Sequence, residues 1–295
     1  MSGANEVSKE RALGMLLGLH CGDSLGSTKE HQERDCNFAH KEIIGGGSSI
    51  PWRIGQPTDD TELALIILKS LQSPTFLDLA TARGLMIDWY LSDPFDIGDT
   101  VRAAIKRMLD GDEFGGLSSS DSQGNGSLIR VAPLALMRTT HKELIETCFK
   151  QNLLTHGDEI TKQVDVALVE TLNLAMSKDC SHQELLRTLM ISLHRGGINT
   201  KKIYEDAIGS WKDLPNTGWV IHTITVLAWC IVNCKTFEEA LIKAVNLGGD
   251  ADSNGAVVGA VFGARYGLRS IPYRWLGPLE LKDVITLEIN RLFES

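Results

Sequence analysis

The chain has 295 residues, 43% of them hydrophobic, and a formal net charge of −9, which gives enough apolar material for a large core. No Lys/Arg cluster supplies the basic face that nucleic acid or an anionic membrane surface requires, so neither partner is expected. Cys21, Cys36, Cys148, Cys180, Cys230 and Cys234 show no framework spacing and read as reduced thiols of a cytoplasmic protein.

No Pro/Ser-rich linker, low-complexity tract or fixed-period repeat divides the chain, so residues 1–295 read as one domain, with a monomer expected. The first apolar run, ALGMLLGLHCG, follows Glu10, contains His20 and is too short to span a bilayer; it reads as a core helix over about 10–20. Apolar residues recur at helical spacing around 61–71, 78–91, 100–109, 128–137, 163–176, 183–193, 219–233, 237–245 and 255–266. Strand signals are sparse, and only short pieces such as KEIIGGG could pair. The predicted class is therefore all-α, a compact multi-helix bundle packed in several directions (an orthogonal bundle). The segment WVIHTITVLAWCIVNC is apolar nearly all round and reads as a buried central helix. His222, Cys230 and Cys234 share one of its faces, where packing is the better reading than metal binding. In GAVVGAVFGARYG the glycines fall at 255, 259, 263 and 267, leaving one helix face as bare backbone that another element can approach closely.

Two acidic clusters carry the chemistry. DADSNG (250–255) supplies EF-hand ligand types at positions 1, 3, 5 and 6, but position 12 is Val261 where a bidentate glutamate is needed. Any metal at Asp250 and Asp252 therefore needs ligands from elsewhere in the chain. The second cluster is GQPTDDTELAL, where Thr58, Asp59 and Asp60 stand at a turn becoming a helix, with Thr58 or Asp59 as cap. Asp250, Asp252 and Ser253 likewise open a helix. Two such turns facing each other offer an all-oxygen set suited to Mg²⁺ or Mn²⁺ and, lacking histidine or thiolate, unsuited to zinc.

Seven segments in order, GDSLGSTKE, GGG followed by GQPTDDTELAL, FDIGDTVRAAI, GNGSLIRVAPLAL, TH (155–156), NTGWVIHT and GGDADSNGAVVGA, resemble the ADP-ribosylglycohydrolase family. The likeness is greatest to its dinitrogenase reductase-activating branch, which removes ADP-ribose from arginine. The resemblance implies an all-α fold with two ions, Mg²⁺ or Mn²⁺, per chain. Thr58, Asp59 and Asp60 would hold one, Asp250 and Ser253 the other, and Asp252 would bridge them. It implies Glu30 on a flap over the site, Asp96 facing the leaving guanidinium, Gly124, Asn125, Gly126 and Ser127 cradling the diphosphate, His156 on the ligand and Trp219 lining the pocket. Partners would be an ADP-ribosylated protein as substrate and ADP-ribose as product.

Physical chemistry supports part of this assignment. A Gly-Asn-Gly-Ser turn entering a helix offers N–H groups to an anion, although the same turn also serves as an ordinary helix start. His156 could equally hydrogen-bond locally, Trp219 could pack in the core, and Asp96 could cap the helix beginning near Asp99. A water activated at the metals would attack the ribose, with Asp60 a candidate base and Asp96 steering the guanidine. Alternatives are hydrolysis of another ADP-ribosyl linkage, to serine, another acceptor or a small molecule, and a catalytically silent ADP-ribose-binding protein.

Overall fold

The structure is a computed structural model that describes residues 8–47, 50–177 and 179–294. Its described residues form thirteen α-helices: α1 (Lys9–Gly26), α2 (Asp59–Ser70), α3 (Leu79–Leu91), α4 (Asp99–Leu109), α5 (His141–Leu153), α6 (Glu159–Ser177), α7 (His182–Arg195), α8 (Thr200–Ala207), α9 (Val220–Asn233), α10 (Phe237–Val245), α11 (Ala251–Tyr266), α12 (Tyr273–Leu276) and α13 (Lys282–Glu294). Side-chain caps start many of them. Thr58 accepts the Asp60 N–H, Asp78 accepts those of Ala80 and Thr81, and Thr140–Glu143 and Ser181–Glu184 form reciprocal capping boxes.

Helices α1 and α11 make the central contact. Gly14, Gly18 and Gly22 of α1 face Gly263, Gly259 and Gly255 of α11, and Gly26 faces Ala251, so the two helices run antiparallel with backbone against backbone. A Cβ built on Gly22 would lie 1.9 Å from the Gly255 carbonyl oxygen, and one on Gly259 2.0 Å from that of Gly18. The close approach expected of the α11 glycines is present, and its partner is the matching row on α1. Around this pair the core is one continuous apolar cluster drawn from nearly every helix. Helix α9 is buried along most of its length, as its composition demands.

One expectation is corrected. Residues 128–137 do not form an α-helix: the Gly-Asn-Gly-Ser segment leads into turns and a 3₁₀ helix over Ala132–Leu136, with Pro133 removing a helical donor. The segment KEIIGGG contributes only an isolated bridge, Gly46 to Trp52, while the strands are β1 (Leu71–Ser73) and β2 (Phe76–Leu77), a short hairpin after α2. Helices α5, α8, α12 and α13 lie outside the segments expected from the sequence.

The glycine contact sets a mutational expectation. Gly259→Ala should destabilise the protein by about 3 kcal/mol, the upper range for overpacking, because backbone on both sides has to move. Gly84→Ala is the contrasting case: it lies inside α3 with nothing within 4 Å of its added Cβ, so it should stabilise by about 1 kcal/mol through helix propensity. Equilibrium denaturation of the two variants checks both signs.

Candidate active site

The antiparallel α1–α11 pair brings the C-terminal end of α1 beside the N-terminal end of α11, and α2 begins against both. Asp23, fully buried in the last turns of α1, pins that third element. Its carboxylate accepts the Thr58 N–H (3.1 Å), the Thr61 N–H (3.2 Å) and the Thr61 hydroxyl. The two carboxylate-bearing helix starts thus meet, and Ser253 Oγ donates to Asp60 Oδ1 at 3.3 Å. Asp59 Oδ2 accepts the Gly98 N–H at 3.0 Å, which fixes the loop carrying Asp96. The loop after α1 is clamped by His31 N–H to Gly249 O (2.7 Å) and Gly249 N–H to Gln32 O (3.0 Å), placing Glu30 over the same point.

The result is a cleft of about 200 Å³ lined by Glu30, Asp59, Asp60, Asp96, Asp250 and Asp252, with Ser253, Gly124, Asn125, Gly126 and His156 on its walls and the exposed Asp99 at its rim. Oxygens of Glu30, Asp250 and Asp252 lie within 4.8 Å of one another. Burial raises the pKa of every one of the six, and neighbouring like charges add to it at all but Asp96. Burial, then the Asp96 and Asp250 charges, push Glu30 to about 8; burial, then Asp96, push Asp59 to about 7. Asp60 is held well above the carboxylate range by burial and then Asp252, and Asp252 by burial and then Asp250 and Glu30. Burial raises Asp96 and Asp250 as well. Like charges in a desolvated cleft cannot all ionise without a cation. Asp60 Oδ2 and Asp252 Oδ1 are buried and have no hydrogen-bond partner in the protein. Orphaned oxygens among crowded carboxylates and a hydroxyl fit a hard divalent cation.

Other site residues take distinct positions. Thr58 is buried, with its hydroxyl on the Asp60 N–H. Asn125 Nδ2 donates to Asp250 Oδ2 (2.6 Å) and Thr223 Oγ1 (2.9 Å), and its N–H bonds Gly218 O, so it braces the Asp250 side of the cleft. The Ser127 hydroxyl turns inward, donating to Asp165 and accepting from Asn152. His156 is buried with Nδ1 2.8 Å from Thr155 Oγ1, while Nε2 has no partner. Burial, then the Arg130 charge, lower its pKa to about 3, so the ring is neutral. Asp96 does not cap α4: the cap is Gly98, without a side-chain bond. Trp219 is not a core residue. It is 40% exposed, donates to Gln123 Oε1, stands edge-on to His222 and pairs through an isolated backbone bridge with Gly124 on the cleft wall. Sequence reasoning missed Asp23 and the buried Arg130, although each is a charge inside an otherwise apolar run, which is itself a signal.

An all-α scaffold that gathers carboxylates from several helix ends around a small cleft offers an all-oxygen donor set of the kind that fits a divalent cation. The ADP-ribosylglycohydrolase family model matches residues 4–295, and the chain belongs to that family. It is 32% identical to the ADP-ribosylarginine hydrolase Tri1 of Serratia proteamaculans over 97% of this chain and 80% of that protein. It is 33% identical to the ADP-ribosyl-[dinitrogen reductase] glycohydrolase of Rhodospirillum rubrum over 97% and 95%. A solved ADP-ribosylglycohydrolase-related protein complex superposes with a TM-score of 0.83 at 30% identity, covering 97% of this chain and 98% of that one. The protein is accordingly an ADP-ribosylglycohydrolase. No helix among the described residues is long and apolar enough to cross a membrane.

The raised carboxyl pKa values predict how the metal-free protein responds to pH. A carboxyl whose pKa is higher folded than unfolded keeps its proton better in the folded state, so stability falls as pH rises from about 4 through the folded value. His20 and His156, lowered to about 4 and about 3 by burial, act in the opposite sense, but only up to their unfolded value of about 6.5. Above that the carboxylates dominate, joined near pH 8.5 by the buried thiols Cys21, Cys148 and Cys230, which burial raises and which act in the same direction. In chelator, Tm should drop by about 5 °C or more between pH 6.5 and 8.5, and saturating Mn²⁺ should raise Tm more at pH 8.5 than at 6.5 because cation and protons compete for the same oxygens. A flat Tm over this window would contradict the crowded-carboxylate picture.

Proposed function

We propose that this protein hydrolyses the N-glycosidic bond joining ADP-ribose to arginine in a modified protein, with two divalent cations, Mg²⁺ or Mn²⁺, at the carboxylate cleft. The observation that carries the reading is the pair of orphaned oxygens, Asp60 Oδ2 and Asp252 Oδ1, in a cleft that also holds Asp96. The relatives named for arginine and for dinitrogen reductase support the linkage. In this reading Thr58, Asp59 and Asp60 would hold one ion and Asp250 and Ser253 the other, with Asp252 available to both. Glu30, grouped with Asp250 and Asp252, closes the site from above. When bound, the cations would fix the ribose hydroxyls and acidify a water for attack at the anomeric carbon.

The chain's own residues do the rest. Asp60, with one oxygen free of protein partners, is placed to take the proton of the attacking water. Asp96 pairs with the guanidinium and orients it for departure, a two-point geometry that a serine oxygen cannot use. The diphosphate lies along the Gly124–Ser127 turn, whose usable donors are the backbone N–H groups other than that of Asn125, since the Asn125 and Ser127 side chains and the Asn125 N–H are engaged elsewhere. His156 Nε2, neutral and unpartnered, faces the same ligand.

Asp96→Ala should lower the rate on ADP-ribosylated arginine by about a hundredfold, the scale of a lost transition-state contact, with less effect on a serine-linked substrate. Parallel assays on both linkages test this: an arginine-to-serine ratio unchanged by the mutation would defeat arginine specificity even if total activity fell. Asp252→Asn should abolish turnover and weaken Mn²⁺ binding while leaving metal-free Tm unchanged or higher, because it relieves like-charge crowding. Wild-type metal occupancy in that variant would exclude the bridging position.

A further inference from the structure

Arg130 is completely buried, yet each bond recorded for its guanidinium goes to a neutral oxygen. Nε donates to Gln151 Oε1 (3.1 Å), Nη1 to Gly126 O (2.8 Å) and Nη2 to Gln151 O (3.0 Å). The neighbouring carboxylate, Asp165, is reached through a relay, Gln151 Nε2 to Asp165 Oδ2 at 2.9 Å. A buried guanidinium without a direct carboxylate partner is costly for a fold to keep, so its position calls for a role.

Its bonds reach Gly126 on the cleft wall and Gln151 in the segment that leads to His156. The Gly126 carbonyl would bond the amide of residue 130 in an α-helix; here the Arg130 side chain takes it, in a segment that turns instead of forming an α-helix. In a planar trans peptide the carbonyl and the following N–H point in opposite directions. Drawing Gly126 O inward therefore aims the Ser127 N–H outward, on the side where Gly126 borders the cleft. Gln151 lies at the end of α5, one residue before Asn152, whose carbonyl accepts the His156 N–H at 2.9 Å and whose side chain accepts the Gly157 N–H. Gly126 and the His156 ring are in close contact: a Cβ on Gly126 would lie 3.0 Å from His156 Cε1. The charge is also felt inside the cleft, since Arg130 interacts with Asp59 and helps keep His156 neutral.

We propose that Arg130 is a positioning residue for the anion-binding wall: it orients the Gly126–Ser127 peptide, ties that turn to the segment bearing His156, and sets a positive charge behind the diphosphate without touching it. This rests on the reading that the diphosphate of ADP-ribose lies along the Gly124–Ser127 turn.

Calorimetric titration with ADP-ribose in saturating Mn²⁺, alongside titration with Mn²⁺ alone, tests the proposal. Arg130→Met should weaken ADP-ribose binding by about thirtyfold, the scale of a lost charged hydrogen-bonding group, with Mn²⁺ binding unchanged. Arg130→Lys keeps the charge but cannot span Gly126 and Gln151 together, so it should recover part of the loss, to about tenfold below wild type. In turnover, the loss should appear in KM with kcat within about threefold, because the diphosphate is remote from the bond that breaks. A folded Arg130→Met protein that binds ADP-ribose as wild type does would overturn the role of Arg130. If that variant does not fold, an unchanged affinity in Arg130→Lys does the same. Equal weakening of Mn²⁺ and ADP-ribose would show a structural role only. Wild-type protein that binds Mn²⁺ but no ADP-ribose would instead overturn the reading of the turn, and this proposal with it.

Discussion

The structure depends on the backbone contact between α1 and α11. Four positions on one helix meet four on the other at distances that leave no room for a Cβ on most of them. Two backbones held that close can neither slide nor rotate by a residue without collision, so the relative height of the two helices is fixed. That height sets Glu30, just beyond the end of α1, opposite Asp250 and Asp252 at the start of α11. The glycines remove side-chain packing from the centre of the molecule, and what they give in return is a rigid register at one end of it.

The cleft built on that register is electrostatically unfavourable as it stands. Helix N-termini favour nearby negative charge, and α2 and α11 both begin here, yet burial raises all six carboxyl groups, with mutual repulsion adding to it at five of them. The fold tolerates this arrangement because hydrogen bonds independent of any cation hold it in place: Asp23 on the start of α2, Asn125 on Asp250, and the Glu30 loop on Gly249. Such preorganisation is what a functional site needs and what a core optimised for stability alone would avoid.

The opposite wall has its own support. Arg130, Gln151, Asn152, Asp165, Ser127 and Thr161 form a buried polar network below the Gly124–Ser127 turn. Asp165 is raised to about 7 by burial even though three side chains donate to it. Arg130 and Asp165 thus lie together in the network beneath the turn, and Asn125 links that turn to Asp250 among the carboxylates.

Much of the fold class was legible in the sequence, because helical periodicity, capping residues and glycine spacing are local properties. Thr58 before Asp59 and Asp60 announces a helix start, and the α11 glycines announce a close approach. The error at 128–137 came from apolar spacing that suits a helix in a segment where Pro133 and the Arg130 side chain compete for the backbone. Which residues meet was decided only by tertiary structure. Ser253 and Asp60 touch across 193 positions of chain, Asn125 and Asp250 across 125, and Asp23 and Thr61 across 38. No periodicity encodes those pairs. The sequence by itself determined the helices and the residue types at their ends; the packing of α1 on α11 decided which ends face one another, and hence that scattered carboxylates form a single cleft.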